Sequence, residues 1–156
     1  MQKGEMMARL DIDFPDDFFQ ELDGMFDEAA PKMIDKALPI YKDAMEDSLS
    51  KSISTAPEDV KRQTGDLIKS VITKEAERTK TDAYIGVVTF EGSSKKTTYK
   101  RRGKAEPFRN FQKALGLEYG TSRGQTARPF LQRATNSCEK EVIDVMQEVF
   151  NKEVER

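Results

Sequence analysis

The chain contains no histidine, a single cysteine, and no apolar run approaching the ~20 residues that a membrane-spanning helix needs. Each absence closes a class of function. Without histidine there is no Ser-His or Cys-His nucleophile pair, and both the commonest general base and the commonest transition-metal ligand are missing. Cys138, alone, can form neither an internal disulfide nor a zinc cluster, and on the apolar side of a helical pattern it reads as a small core residue. No G-x-x-x-x-G-K-[ST] or G-x-G-x-x-G run follows a predicted strand, so no phosphate cradle is expected. Met1 to Leu10 lacks a continuous apolar core behind its charges, so we expect no secretory signal and a chain that stays in the cytoplasm where it is made.

What is present fits one domain spanning 1–156, large enough for one modest core. Charged residues make up 35% and apolar residues 37%, with a net charge of -2, values that suit a helix-rich protein with solvated faces. We expect a mobile N-terminus over about 1–13. From there Phe18, Leu22, Met25, Phe26, Ala29, Met33, Ala37, Ile40, Ala44, Met45 and Leu49 recur at steps of three and four, the period of a helix with one buried stripe. Pro15 suits a first helical position, with Asp16 and Asp17 at the positive end of the helix dipole. Pro31 and Pro39 each remove an amide donor, which predicts a break and hence a short first helix followed by a longer one. Thr55 and Glu58 have capping-box spacing, and Thr64 is placed to cap a short helical turn beginning near Asp66.

Two segments then carry β-branched and aromatic content, Ser70 to Ala76 and Ala83 to Phe90, with a short polar link between them; they predict an antiparallel pair. Residues 91–106 change character. Lys95, Lys96, Lys100, Arg101, Arg102 and Lys104 put six cations within ten positions, which reads as a solvated, mobile loop until something anionic orders it. Pro107 to Leu115 predicts a short helix with Phe108, Phe111 and Leu115 on one side. Beyond it Gly120 and Gly124 suit turns, and Arg128, Pro129 and Phe130 lead into a long final helix with Leu131, Ala134, Cys138, Val142, Val145, Met146 and Val149 on its apolar side. Pro129 fits the first turn of that helix, with Arg128 at the cap position but lacking an acceptor side chain. The expected fold is α+β: N-terminal helices, a small antiparallel sheet, and a long C-terminal helix packed against it.

Catalytic chemistry is scarcely visible in these residues. The Asp11 to Asp17 carboxylate cluster lacks the turn glycine and distal glutamate of a calcium loop and reads as the start of a helix. Glu75 and Glu77 fall on strand or loop surface without a partner suited to acid-base work. We therefore expect no catalytic residues, no metal and no cofactor. The cationic run is the one candidate for nucleic acid, with Tyr99 available to stack on a base; the net charge of the whole chain opposes a dedicated role of that kind.

Thr64-Gly-Asp-Leu67 followed by Ser70, a strand pair, Leu117-Glu-Tyr-Gly-Thr-Ser122, Ala127-Arg-Pro-Phe-Leu131 and a terminal amphipathic helix resembles the tail-component family of long-tailed bacteriophages and prophages. The likeness runs from about residue 10 to the end. It departs from the family after Leu131, where Gln132-Arg133-Ala134 replaces the usual Arg-Pro-Ala, and in the length of its basic insert. The resemblance implies a non-enzymatic part of the neck or upper tail, assembled in the host cytoplasm and resident in the virion, serving tail completion or head-tail joining. Its implied partners are copies of itself in a ring, adjacent neck, tail-terminator or tail-tube proteins, and transiently DNA, with no membrane. Glu118, Tyr119, Gly120, Thr121, Arg128, Pro129 and Phe130 are the expected assembly contact, and the six cations from Lys95 to Lys104 the expected contact to DNA or an acidic neighbour. A regulator that binds nucleic acid through the basic loop is the alternative.

Overall fold

A computed structural model of the chain describes residues 18–54 and 65–155. Its elements are helix α1 (Phe18–Ser54), strands β1 (Val71–Arg78), β2 (Tyr84–Phe90), β3 (Ser93–Arg101) and β4 (Lys104–Arg109), helix α2 (Asn110–Tyr119) and helix α3 (Leu131–Val154). A helical turn at 65–68 precedes β1. The expected α+β class holds. Pro15, Thr55, Glu58, Thr64 and the acidic cluster at 11–17 lie outside the described residues.

The N-terminal apolar stripe forms one helix where two were expected. α1 carries Pro31 and Pro39 in its interior and continues through both. Each proline leaves a carbonyl four residues back without its helical donor. Those two residues are Asp27 and Asp35, and their side chains tie α1 to the first hairpin. Asp27 Oδ2 lies 3.3 Å from Arg78 Nη1 and its Oδ1 accepts from Tyr84 Oη at 3.3 Å. Asp35 Oδ1 accepts the Ala76 amide at 2.9 Å. That amide is free because the β1–β2 register shifts between Lys74 and Glu77, a bulge that takes Ala76 out of the ladder. Gly86 completes the fit, since a Cβ there would stand 2.3 Å from Ile34. Phe26, on the expected buried stripe, is instead largely exposed.

β1 and β2 form the expected antiparallel hairpin. The segment expected as a basic loop at 91–106 folds differently: β3 and β4 make a second antiparallel hairpin, separate from the first sheet. Its turn is Arg102-Gly103, with φ values of 50° and 80°, the two positive φ angles that a two-residue type I′ turn requires. The Thr-Thr-Tyr content favours strand, and alternation was hidden because charged residues occupy both faces. Pro107 stands in β4, opposite Thr98, and not in a helix; a two-stranded ribbon has only edge strands, where proline is tolerated. α2 accordingly starts at Asn110 and runs on to Tyr119, past the expected end at Leu115.

α3 packs antiparallel along α1, as the pairs Lys32–Glu153, Tyr41–Thr135 and Ser48–Phe130 require. α1 takes both the β1–β2 hairpin and α3, and Val142 and Met146 of α3 line one cavity with Tyr84, Ile85 and Val88 of β2, so the final helix stands beside the first sheet as expected. The core gathers Met45 and Leu49 of α1, Leu67 of the turn before β1, Val71 of β1, Ala114 and Leu117 of α2, and Phe130 and Ala134 at the start of α3, with Val88 and Phe90 of β2 packed against them.

Candidate assembly surface

The Glu-Tyr-Gly-Thr and Arg-Pro-Phe-Leu runs meet at one junction. Glu118, 9% exposed at the end of α2, aims its carboxylate across at the start of α3. Its Oε2 accepts the Phe130 amide at 2.7 Å and the Leu131 amide at 3.1 Å. The first amides of a helix have no partner within it, so this carboxylate serves as an N-cap supplied from a distant element and complements the helix dipole. The cap residue is Phe130, not Arg128, and its own side chain makes no capping bond. The Phe130 carbonyl in turn accepts from Ser48 Oγ at 2.8 Å and from the Ala134 amide at 2.9 Å. Its ring is 0% exposed and stands edge-on to Phe90 at 6.0 Å and 84°. Arg133 donates to Ser52 Oγ, a second tie from α3 to α1.

The link from Tyr119 to Phe130 is held by its own backbone. Gly120 closes α2 with φ 76° and ψ -179°, a region open to glycine alone, and a Cβ there would lie 2.7 Å from the Gln125 carbonyl. Thr121 and Gln125 exchange bonds, Thr121 N–H donating to the Gln125 carbonyl at 3.1 Å and Gln125 N–H to Thr121 Oγ1 at 3.3 Å. Gly124, at φ 94°, makes the second bend. The Arg128 amide donates to the Leu117 carbonyl at 2.7 Å, fastening the link back onto α2. Arg128 Nη1 is buried and has no acceptor among the described residues.

This geometry divides the expected contact residues. Glu118 and Phe130 are buried in the junction, where they hold the chain's own elements together. Gly120 serves the turn, while Thr121 and Pro129 are exposed beside it. Tyr119 alone presents a large exposed ring, at 74%. Sequence reasoning missed its companions. Phe111 and Leu115, 49% and 40% exposed, precede Tyr119 at four-residue steps and place three large apolar side chains in one row on the outer face of α2. The shifted start of α2 explains the miss: the expected helix groups Phe111 and Leu115 with Phe108, which stands in β4, while the buried side of α2 is formed by Asn110, Ala114, Leu117 and Glu118.

The expected polyanion contact is a projecting ribbon. Lys100, Arg101, Arg102 and Lys104 are exposed at its tip. Lys95, Lys96 and Tyr99 lie in β3, with their side chains outside the described residues. The base of the ribbon is fixed by Asn110, whose amide donates to the Gly92 carbonyl at 3.0 Å and whose Nδ2 donates to the Glu91 carbonyl at 2.8 Å.

Cys138 is buried on α3, as its sequence position implied. Burial pushes its thiol above the ordinary value; a hydrogen bond at its own backbone opposes this, and the charges of Glu141 and Glu139 add to it. A raised thiol pKa disfavours the nucleophilic thiolate. Among the described residues no group of histidine, cysteine, aspartate or glutamate is placed to hold a metal ion, and no helix is long and apolar enough to cross a membrane. Compared with protein-family models, curated proteins and solved structures, the chain matches none.

Proposed function

We propose that this chain is a structural protein of the neck or upper tail of a long-tailed phage or prophage particle, needed for tail completion or head-tail joining, and that it acts through protein contacts and not catalysis. The motifs that carry the resemblance support this reading, and one observation of the fold supports it independently. The row Phe111, Leu115 and Tyr119 leaves three large apolar side chains in water on a helix whose inner face is fully used. Clustered aromatic and aliphatic groups of this kind mark protein contacts. Glu118, Gly120 and Thr121 then have a clear part in the motif: they fix the end of α2 and so present Tyr119.

The proposed partners are copies of the chain in a ring, neighbouring neck, tail-terminator or tail-tube proteins, and the DNA that passes them. Such rings repeat a heterologous contact about an axis, so each copy needs two different complementary patches. Sequencing the DNA that flanks the gene tests the reading: portal, head-closure, tail-terminator or tail-tube genes beside it are expected, and flanking metabolic genes would count against it.

A second reading, a regulator that grips nucleic acid, is favoured by the cationic tip from Lys100 to Lys104. It requires tight binding by the isolated chain that weakens steeply with salt, which a gel-shift titration measures.

A further inference from the structure

The charges of the chain are segregated by element. The second hairpin, residues 93–109, holds seven lysines and arginines against one glutamate. α1 and α3 together hold thirteen carboxylates against seven cations. A net charge of -2 thus conceals a cationic arm on an anionic body. Lysines also guard unpaired strand edges against stray pairing. Lys95, Lys96, Lys100 and Arg109 stand along the strands and fit that role, whereas Arg101, Arg102 and Lys104 are gathered at the turn, where no strand edge needs them.

The anionic body offers a shaped receiver. On the seam between α1 and α3 lies a groove of about 300 Å³ whose rims are Asp43 and Asp47 on one helix and Glu141 on the other, with Ile40 and Cys138 among the apolar residues beneath. Asp43 and Asp47 are one helical turn apart and point the same way. Asp47 is engaged by Lys51 on its own helix at 2.6 Å, both groups being well exposed. Asp43 and Glu141 have no ion pair among the described residues. We infer that the tip of the basic hairpin in one copy seats in the acidic α1–α3 groove of a second copy. Arg102 and Lys104 meet Asp43 and Glu141 there, and the aliphatic stems of the cations cover Ile40.

The contact joins two different surfaces, so it is heterologous and propagates head to tail, as a ring or filament requires. Duplex DNA is the competing occupant of the arm, but the anionic helices carried with the arm would be drawn toward the phosphates and repelled by them. Individual exposed ion pairs contribute little, so a single contact is weak and salt-sensitive, and it gains strength when closure makes several act at once. The inference rests on the self-association part of the proposed function and not on its virion part.

The test uses the purified full chain. Equal amounts of 14N- and 15N-labelled protein are mixed at high concentration and low salt, treated with a carbodiimide that joins amines to carboxylates, and digested for mass spectrometry. Mixed-isotope products linking Lys100 or Lys104 to Asp43 or Glu141 are expected. Their yield should fall by about tenfold between roughly 0.05 and 0.5 M salt, the scale of a few screened charge pairs. The triple substitution Arg101→Glu, Arg102→Glu and Lys104→Glu should abolish them in a chain that keeps its melting temperature. Pairing that variant with one carrying Asp43→Lys and Glu141→Lys should restore tip-to-groove products through the new lysines and glutamates. Single-isotope products alone, or no such products, would overturn the inference, and a shift of duplex DNA by the same wild-type chain would then assign the arm to DNA. A chain absent from phage particles that still gives mixed products would sink the virion role and leave this contact standing.

Discussion

At the end of α2, Glu118 turns its carboxylate inward and takes two amide protons from the start of α3. Glu118→Ala leaves those amides buried without an acceptor, and should lower stability by about 2 kcal/mol, the scale of a lost cap and an unsatisfied buried donor. Urea unfolding monitored by circular dichroism measures this, and a loss below ~0.5 kcal/mol would mean that water caps the helix equally well. Gly120→Ala should cost at least about 1 kcal/mol, because the Cβ must both enter a glycine-only backbone region and displace the Gln125 carbonyl. Tyr119→Ser, at the neighbouring but exposed position, should leave unfolding within about 0.5 kcal/mol of wild type. The two turn glycines were legible in the sequence because positive φ leaves few alternatives. The buried fate of Glu118 was not, since a glutamate in a charged sequence carries no local mark of a partner twelve residues away.

The elements show the same division between local and distant causes. The first hairpin and the final helix were legible because their periods are regular and their punctuation is ordinary. The second hairpin was hidden by its own charge, and the turn Arg102-Gly103 lacks the asparagine or aspartate that usually announces a type I′ pair. α1 defeats the rule that prolines end helices because tertiary packing holds it: α3 lies along it, and Asp27 and Asp35 anchor it to the β1–β2 hairpin. Pro39 is exposed. Pro39→Ala therefore restores a backbone donor at little packing cost and should raise stability by about 1 kcal/mol or more. A thermal melt reads this, and a lower melting temperature would show instead that Pro39 is needed to hold Asp35 against Ala76. Gly86→Val should do the opposite, lowering the melting temperature by several degrees, since its side chain collides with Ile34 and Leu38 where α1 crosses the sheet.

At the scale of the molecule, a buried junction and two exposed features divide the labour. Glu118, Phe130 and Ser48 lock three helices together. The α2 row and the basic arm are left facing solvent on that frame. The sequence displayed the motifs of both but not which members were structural and which were available, because exposure is decided by how α2 is rotated on the core and not by the residues of the motif themselves. Leu115→Ser combined with Tyr119→Ser should leave the fold intact and prevent the chain from joining an assembly; normal assembly by this variant would remove the α2 row from the contact surface.

The claim that the chain is a structural part of a phage particle is tested most directly by purifying particles from induced host cells and quantifying the chain in them by mass spectrometry. The account predicts its presence in a small fixed number of copies per particle, retained after the density gradient that removes cytoplasmic protein. Complete, infectious particles lacking the chain, from cells that contain it, would contradict the account.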